Sequence, residues 1–198
     1  MGSPFAPGGL PLAAMRRYTL PLALALVAAA LIAVLAFGLG AKGENLSIDS
    51  QVAHGRYPPA PGANVALPLL GTSRRASIAD FRGRVVVLNL FASWCDPCQA
   101  EVPVLRREQQ LLAQRHATVL GITYEDNAAD AEQFMIRNRL HYPVLQDVNG
   151  AVARALGTDA VPETFVLDSS GRIVAVRRFV VSGRWLRQAV AKAFALSA

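Results

Sequence analysis

The chain has 198 residues, of which 53% are apolar and 17% charged, with a net charge of +6. That length suits one domain plus appended segments, and the apolar fraction exceeds that of an ordinary water-soluble domain. The positive charge does not mark a nucleic-acid surface. The arginines are scattered in runs of no more than two, without interleaved aromatic residues for stacking, and a solvated face turned to an anionic membrane is the plainer reading.

Residues 1–17 are rich in Pro and Gly and predict a cytoplasmic tail without fixed structure. Residues 18–41, YTLPLALALVAAALIAVLAFGLGA, lie in a stretch with no charge between Arg17 and Lys42. About 20 apolar residues in a helix cross a bilayer core, so this run predicts a transmembrane signal anchor. Signal peptides have apolar centres of roughly 7–15 residues, and no convincing cleavage signal follows here. Arg16 and Arg17 precede the run, which places the tail inside and everything after residue 42 outside the cytoplasm. Disulfides persist in such a compartment. Residues 42–63 lack an apolar period and end in a proline cluster, predicting a semi-rigid linker.

The remainder, 64–198, is long enough for one core without disulfide staples. RVVVLNLFA (84–92) predicts a central strand buried on both faces. A helix is expected over 97–114, with Pro103 kinking it. ATVLGITY (117–124) predicts a second buried strand, and 127–140 a helix capped by Asn127. YPVLQD is a short extended piece and GAVARAL a short helix. Residues 163–180 predict a hairpin, and a last amphipathic helix holds Trp185 in the core. This order specifies an α/β fold: a mixed sheet with a parallel centre, an antiparallel hairpin at one side and helices on both faces.

The only two cysteines, Cys95 and Cys98, fall where the first long strand meets its helix. Unsatisfied N–H groups and the positive end of the helix dipole stabilise a thiolate at Cys95. Asp96 opposes that effect, so the net sign stays open. Cys98 lies one turn further in, placed to attack a mixed disulfide formed at Cys95, and Pro97 stiffens the spacer. As a staple so short a loop removes little chain entropy. A structural zinc site needs four ligands. The other metal-binding candidates are the single histidines His54, His116 and His141, which have no matching spacing. A redox couple without cofactor or metal is therefore favoured over a metal clip or an inert disulfide.

VVLNLFASWCDPCQAEVPVL resembles the active-site segment of thioredoxin-fold proteins. Over residues 60–198 the chain is similar, more narrowly, to the membrane-anchored thiol–disulfide oxidoreductases of the TlpA/ResA/CcmG (DsbE) group. The resemblance implies a thioredoxin-like fold behind one transmembrane helix, with Cys95 and Cys98 forming a redox disulfide. Asn89 stands where thioredoxins carry a proton-shuttling Asp. Glu101 matches a glutamate that tunes the cysteines in the ResA-like group, although a first-turn Glu also suits the helix dipole. Pro162 of AVPETFVLD matches a cis-proline facing the cysteines, which would leave the Val161 backbone free to pair with an extended substrate. Glu163 reads either as a second carboxylate near the sulfurs or as a strand-edge charge. Trp94 reads as a flat contact for partners packed beside Cys95, or as core.

By the same resemblance the expected partners are protein disulfides, such as those of apocytochrome c or haem-ligation components, with a membrane electron donor of the DsbD/CcdA type. A general disulfide oxidase or isomerase is the alternative enzyme. Oxidases of the DsbA kind carry a large helical insertion, for which Tyr124 to Pro162 is too short. A copper-handling chaperone of the Sco type would space its cysteines by three residues and use a histidine. A peroxide-reducing role would call for a T-x-x-C pattern, which is missing.

Overall fold

The computed structural model describes residues 26–32 and 47–197. Residues 26–32 are helical and exposed. The expected tail and the rest of the expected 18–41 membrane span lie outside the described residues, among which no helix is long and apolar enough to cross a membrane. Leu46–Ala198 forms a separate compact unit, and it carries every feature discussed below.

At its centre is strand β3, Val85–Phe91, buried at every position. Side chains alternate across a strand, so Val85, Val87, Asn89 and Phe91 face one side and Val86, Leu88 and Leu90 the other. The first set joins a core with helices α2 (Asp96–Ala113), α3 (Ala128–Arg137) and α5 (Gly183–Ser197). The second joins a core with α4 (Ala151–Ala155) and the 3-10 turn Ile78–Phe81. Both faces of the sheet are therefore covered, as a continuous apolar strand requires.

The sheet runs β5–β4–β3–β6–β7. Strands β4 (Ala117–Tyr124) and β5 (Val144–Asp147) are parallel to β3, and β6 (Glu163–Leu167) and β7 (Ile173–Arg178) form the antiparallel hairpin. In mid-β4, Gly121 lets Phe91, Tyr142 and Val144 close in, since a Cβ there would lie 2.9 Å from the Val144 side chain. Asn127 caps α3 by accepting from the Asp130 N–H at 2.9 Å. Helix α2 continues to Ala113 with Pro103 inside it.

The structure departs from expectation over the linker. From Ser47 onward the segment is part of the domain. Helix α1 (Ile48–Ala53) packs beside β7, Ala60 and Ala63 are buried, and Pro58 O accepts from the Ile173 N–H at 2.8 Å. Ala60 N–H donates to Gly171 O at 3.1 Å and Ala63 O accepts from Ala79 N–H at 2.9 Å. Ile48 and Val52, one turn apart on α1, and Tyr57 pack on the two cores. The rest of the segment is held by small residues and backbone hydrogen bonds, so the apolar signal is too short to announce it. A two-stranded ribbon, β1 (Leu67–Pro68) with β2 (Arg75–Ala76), also went unforeseen, being too short to show alternation.

A chain beginning at Asn64 loses these three backbone hydrogen bonds, each worth roughly 0.5–1.5 kcal/mol net. Together with the alanine burial, its urea-unfolding free energy should fall by about 2–4 kcal/mol relative to a chain beginning at Ser47. Equal stability would restore the tether reading.

Candidate active site at the β3–α2 junction

Strand β3 delivers the chain to the amino end of α2, and Cys95 is that helix's N-cap. The Cys98 N–H is shared between Cys95 O and Cys95 Sγ, each 3.1 Å away, so a first-turn amide faces the sulfur. Pro97 occupies the first turn, where its missing N–H costs nothing. The two cysteines form a disulfide of S–S 2.07 Å and are 4% and 2% exposed. Around them Asp96 and Pro97 are exposed and Trp94 is 59% exposed. Trp94 thus offers its ring to solvent and is not core. Trp185, expected in the core, is half-buried against the cysteine-side cluster.

The peptide bond Val161–Pro162 is cis, and Val161 O lies 3.6 Å from Cys95 Sγ. The loop before β6 therefore meets the amino-terminal sulfur directly. Beneath the pair, Glu101 follows Cys98 by three residues on the sheet-facing side of α2 and is fully buried. Its carboxylate accepts from Asn89 Nδ2 at 3.0 Å and from the Val181 N–H at 2.7 Å. Asn89 also donates to Thr164 Oγ1 at 3.1 Å, its direct cross-strand neighbour on β6. Burial pushes the Glu101 carboxyl up from 4.5 to about 7, with the two hydrogen bonds opposing the rise. Tyr142, buried nearby, has its phenol pushed up by desolvation and by the charge of Glu101.

Glu163 lies elsewhere. It pairs in register with Leu90, and so its side chain leaves the sheet on the face opposite Asn89 and Glu101. There it is 5% exposed, bonded to the Thr158 hydroxyl and to Arg178 Nη1. Neither expectation for it holds: it is not a carboxylate beside the sulfurs, nor a solvated edge charge. The histidines are also remote from the pair. His116 and His141 precede β4 and β5, whereas Cys95 follows the opposite end of the parallel strand β3. His54 closes α1, with Nδ1 2.7 Å from Ser50 O.

Asp126 was not singled out by sequence. It accepts from Ser93 N–H at 2.6 Å and from Ser93 Oγ at 2.9 Å, fixing the segment that enters Trp94 and Cys95. Its position just beyond the carboxyl end of β4 is the available signal, since α/β sheets build sites from loops at that edge.

A buried C-x-x-C at a strand–helix junction, facing a cis-proline loop on a mixed five-stranded sheet, defines a thioredoxin-like domain. Residues 59–176 match the AhpC/TSA family, and the chain belongs to it. The chain is 35% identical over 104 residues to a thiol:disulfide interchange protein DsbE of Pseudomonas aeruginosa, a match covering 51% of this chain and 54% of that one. It is 28% identical over 100 residues to the thiol-disulfide oxidoreductase ResA of Geobacillus thermodenitrificans, covering 50% and 58%. The chain thus spans little more than half the length of these curated relatives. Among solved structures, a secreted thiol-disulfide isomerase from Corynebacterium glutamicum superposes with a TM-score of 0.61 at 28% identity, covering 70% of this chain and 86% of that one.

Because folding raises the Glu101 carboxyl from 4.5 to about 7, the folded chain keeps a proton that the unfolded chain has released between those values. Its contribution to stability is fully present below the lower value and is lost as pH rises to the upper one, by roughly 3 kcal/mol. Glu101→Gln should flatten that slope in urea unfolding compared at about pH 5 and about pH 8. Identical slopes in the two proteins would show that the carboxyl titrates normally.

Proposed function

We propose that this protein is an extracytoplasmic thiol–disulfide oxidoreductase that reduces disulfides in a narrow set of protein partners. The approach of Val161 O to Cys95 Sγ carries the reading, because it places loop backbone that can pair with an extended substrate beside the sulfur that caps α2. In the reduced protein the Cys95 thiolate attacks one sulfur of a partner disulfide, and the partner's other sulfur leaves as a thiolate. Cys98 loses its proton and attacks Cys95 in the mixed disulfide. The Cys95–Cys98 bond closes, the partner takes up two electrons and leaves as a dithiol. Glu101, poised to titrate near neutral pH, is the acceptor for the Cys98 proton.

The resemblance to the ResA/CcmG group points to partners in cytochrome c maturation, with apocytochrome c cysteines as the substrate. Relatives named thiol-disulfide oxidoreductase ResA and thiol:disulfide interchange protein DsbE agree with the dithiol chemistry. Resetting the disulfide then requires two electrons from a membrane dithiol relay of the DsbD/CcdA type. The uncharged run 18–41, flanked by Arg16 and Arg17, supports a signal anchor that holds the domain on the outer side of the cell membrane. Trp94, exposed beside Cys95, supplies an apolar contact for the partner.

Cys98→Ala leaves the attacking sulfur without its resolving partner. It should accumulate a mixed disulfide on Cys95 that mass spectrometry identifies and that Cys95→Ala abolishes. Adducts formed equally by both variants would remove the assignment of roles, and recovery of no protein thiol on Cys95 would remove the function.

A further inference from the structure

The loop that brings Val161 to Cys95 is tied at its base by a single guanidinium. Arg178, at the carboxyl end of β7, donates through Nη1 to Gly157 O at 3.1 Å and to the Glu163 carboxylate at 2.5 Å. Its Nη2 donates to Leu156 O at 3.3 Å and to Asp49 Oδ2 at 2.7 Å. Its Nε donates to the two oxygens of Asp49 at 3.2 and 3.1 Å. All five N–H groups of the fork therefore have acceptors, and the cation stands over the Phe165 ring at 5.0 Å. Glu163, in turn, accepts from the Thr158 hydroxyl. Leu156 and Gly157 enter the loop and Glu163 leaves it, so both ends of residues 158–162 are fastened to one side chain.

We propose that Arg178 is a positioning residue for the substrate edge. It sets the loop 158–162 so that the Val161 backbone is presented beside Cys95 to an extended, disulfide-bearing polypeptide. Asp49 of α1 completes the arrangement and makes it depend on the segment that leads into the domain. This inference rests on the oxidoreductase reading above. A partly buried charge network of this kind gives little net stability, because desolvation offsets the attraction. What it supplies is a fixed geometry, and a lysine with three donors on a flexible stem cannot reproduce the planar fork. The network reaches the loop from the face opposite Glu101, so it leaves the proton chemistry of the sulfurs alone.

The test compares full-length wild type, Arg178→Lys and Asp49→Asn, each pre-reduced, in reducing two substrates. One is an unstructured peptide with a single internal disulfide. The other is hydroxyethyl disulfide, which has no backbone to pair. The ratio of second-order rate constants, peptide over small disulfide, should fall about tenfold in Arg178→Lys and about threefold in Asp49→Asn. A ratio unchanged in both variants, including one in which both rates fall together, overturns the inference while leaving the oxidoreductase reading intact. If Arg178→Lys fails to fold, Asp49→Asn decides alone, since it retains every other partner of the guanidinium. A wild type that reduces neither substrate removes the oxidoreductase reading, and this inference with it.

Discussion

The molecule depends on one junction, where a strand buried on both faces runs straight into the amino end of a helix. Because β3 is the middle strand and lies between two cores, its carboxyl end cannot shift without disturbing both. That rigidity fixes Cys95 as the cap of α2, and the Cys98 amide aims at its sulfur as a consequence. A helix terminus has N–H groups that need an acceptor. Here one acceptor, beside the Cys95 carbonyl, is a sulfur of the disulfide itself. Asp126 holds the other side of the junction through Ser93, so the segment between strand and helix is fixed at both ends.

Beneath the cysteines, polar chemistry runs through the apolar interior as one thread. On the cysteine face of β3, Asn89 is the one polar residue, and it is bonded on both sides, to Glu101 and to Thr164. An aspartate in place of Asn89 would set a second buried carboxylate against Glu101. The amide instead donates to it and steadies a single titrating group. Glu101 could not be buried here without such donors, since a desolvated carboxylate lacking hydrogen bonds is costly. Its remaining oxygen is met by the Val181 amide, just before α5.

Much of this was legible in the sequence because it rests on local patterns. The unbroken apolar run of β3, the Asn127 cap and the turn between β6 and β7 each announce an element within a few residues. The cysteine pair announces its own chemistry through its position at a strand–helix boundary. What was not legible depends on register or on distant pairing. The face that Glu163 occupies follows from its alignment with Leu90 across an antiparallel ladder, which a single strand does not disclose. Asp49 and Arg178 meet across 129 positions, with nothing local in either to predict it. The segment before residue 64 packs through Ile48, Val52, Tyr57, small residues and backbone groups, too few apolar positions to set it apart from a linker.

The proposed chemistry requires two sulfurs three residues apart to differ, one presented to partners at a helix cap beside Val161, the other one turn inside. Site-resolved alkylation of the reduced protein tests it most directly, by following iodoacetamide labelling of each cysteine over time near neutral pH. Modification of Cys95 should run at least about tenfold ahead of Cys98. Equal rates at the two positions, or a faster Cys98, would contradict the account.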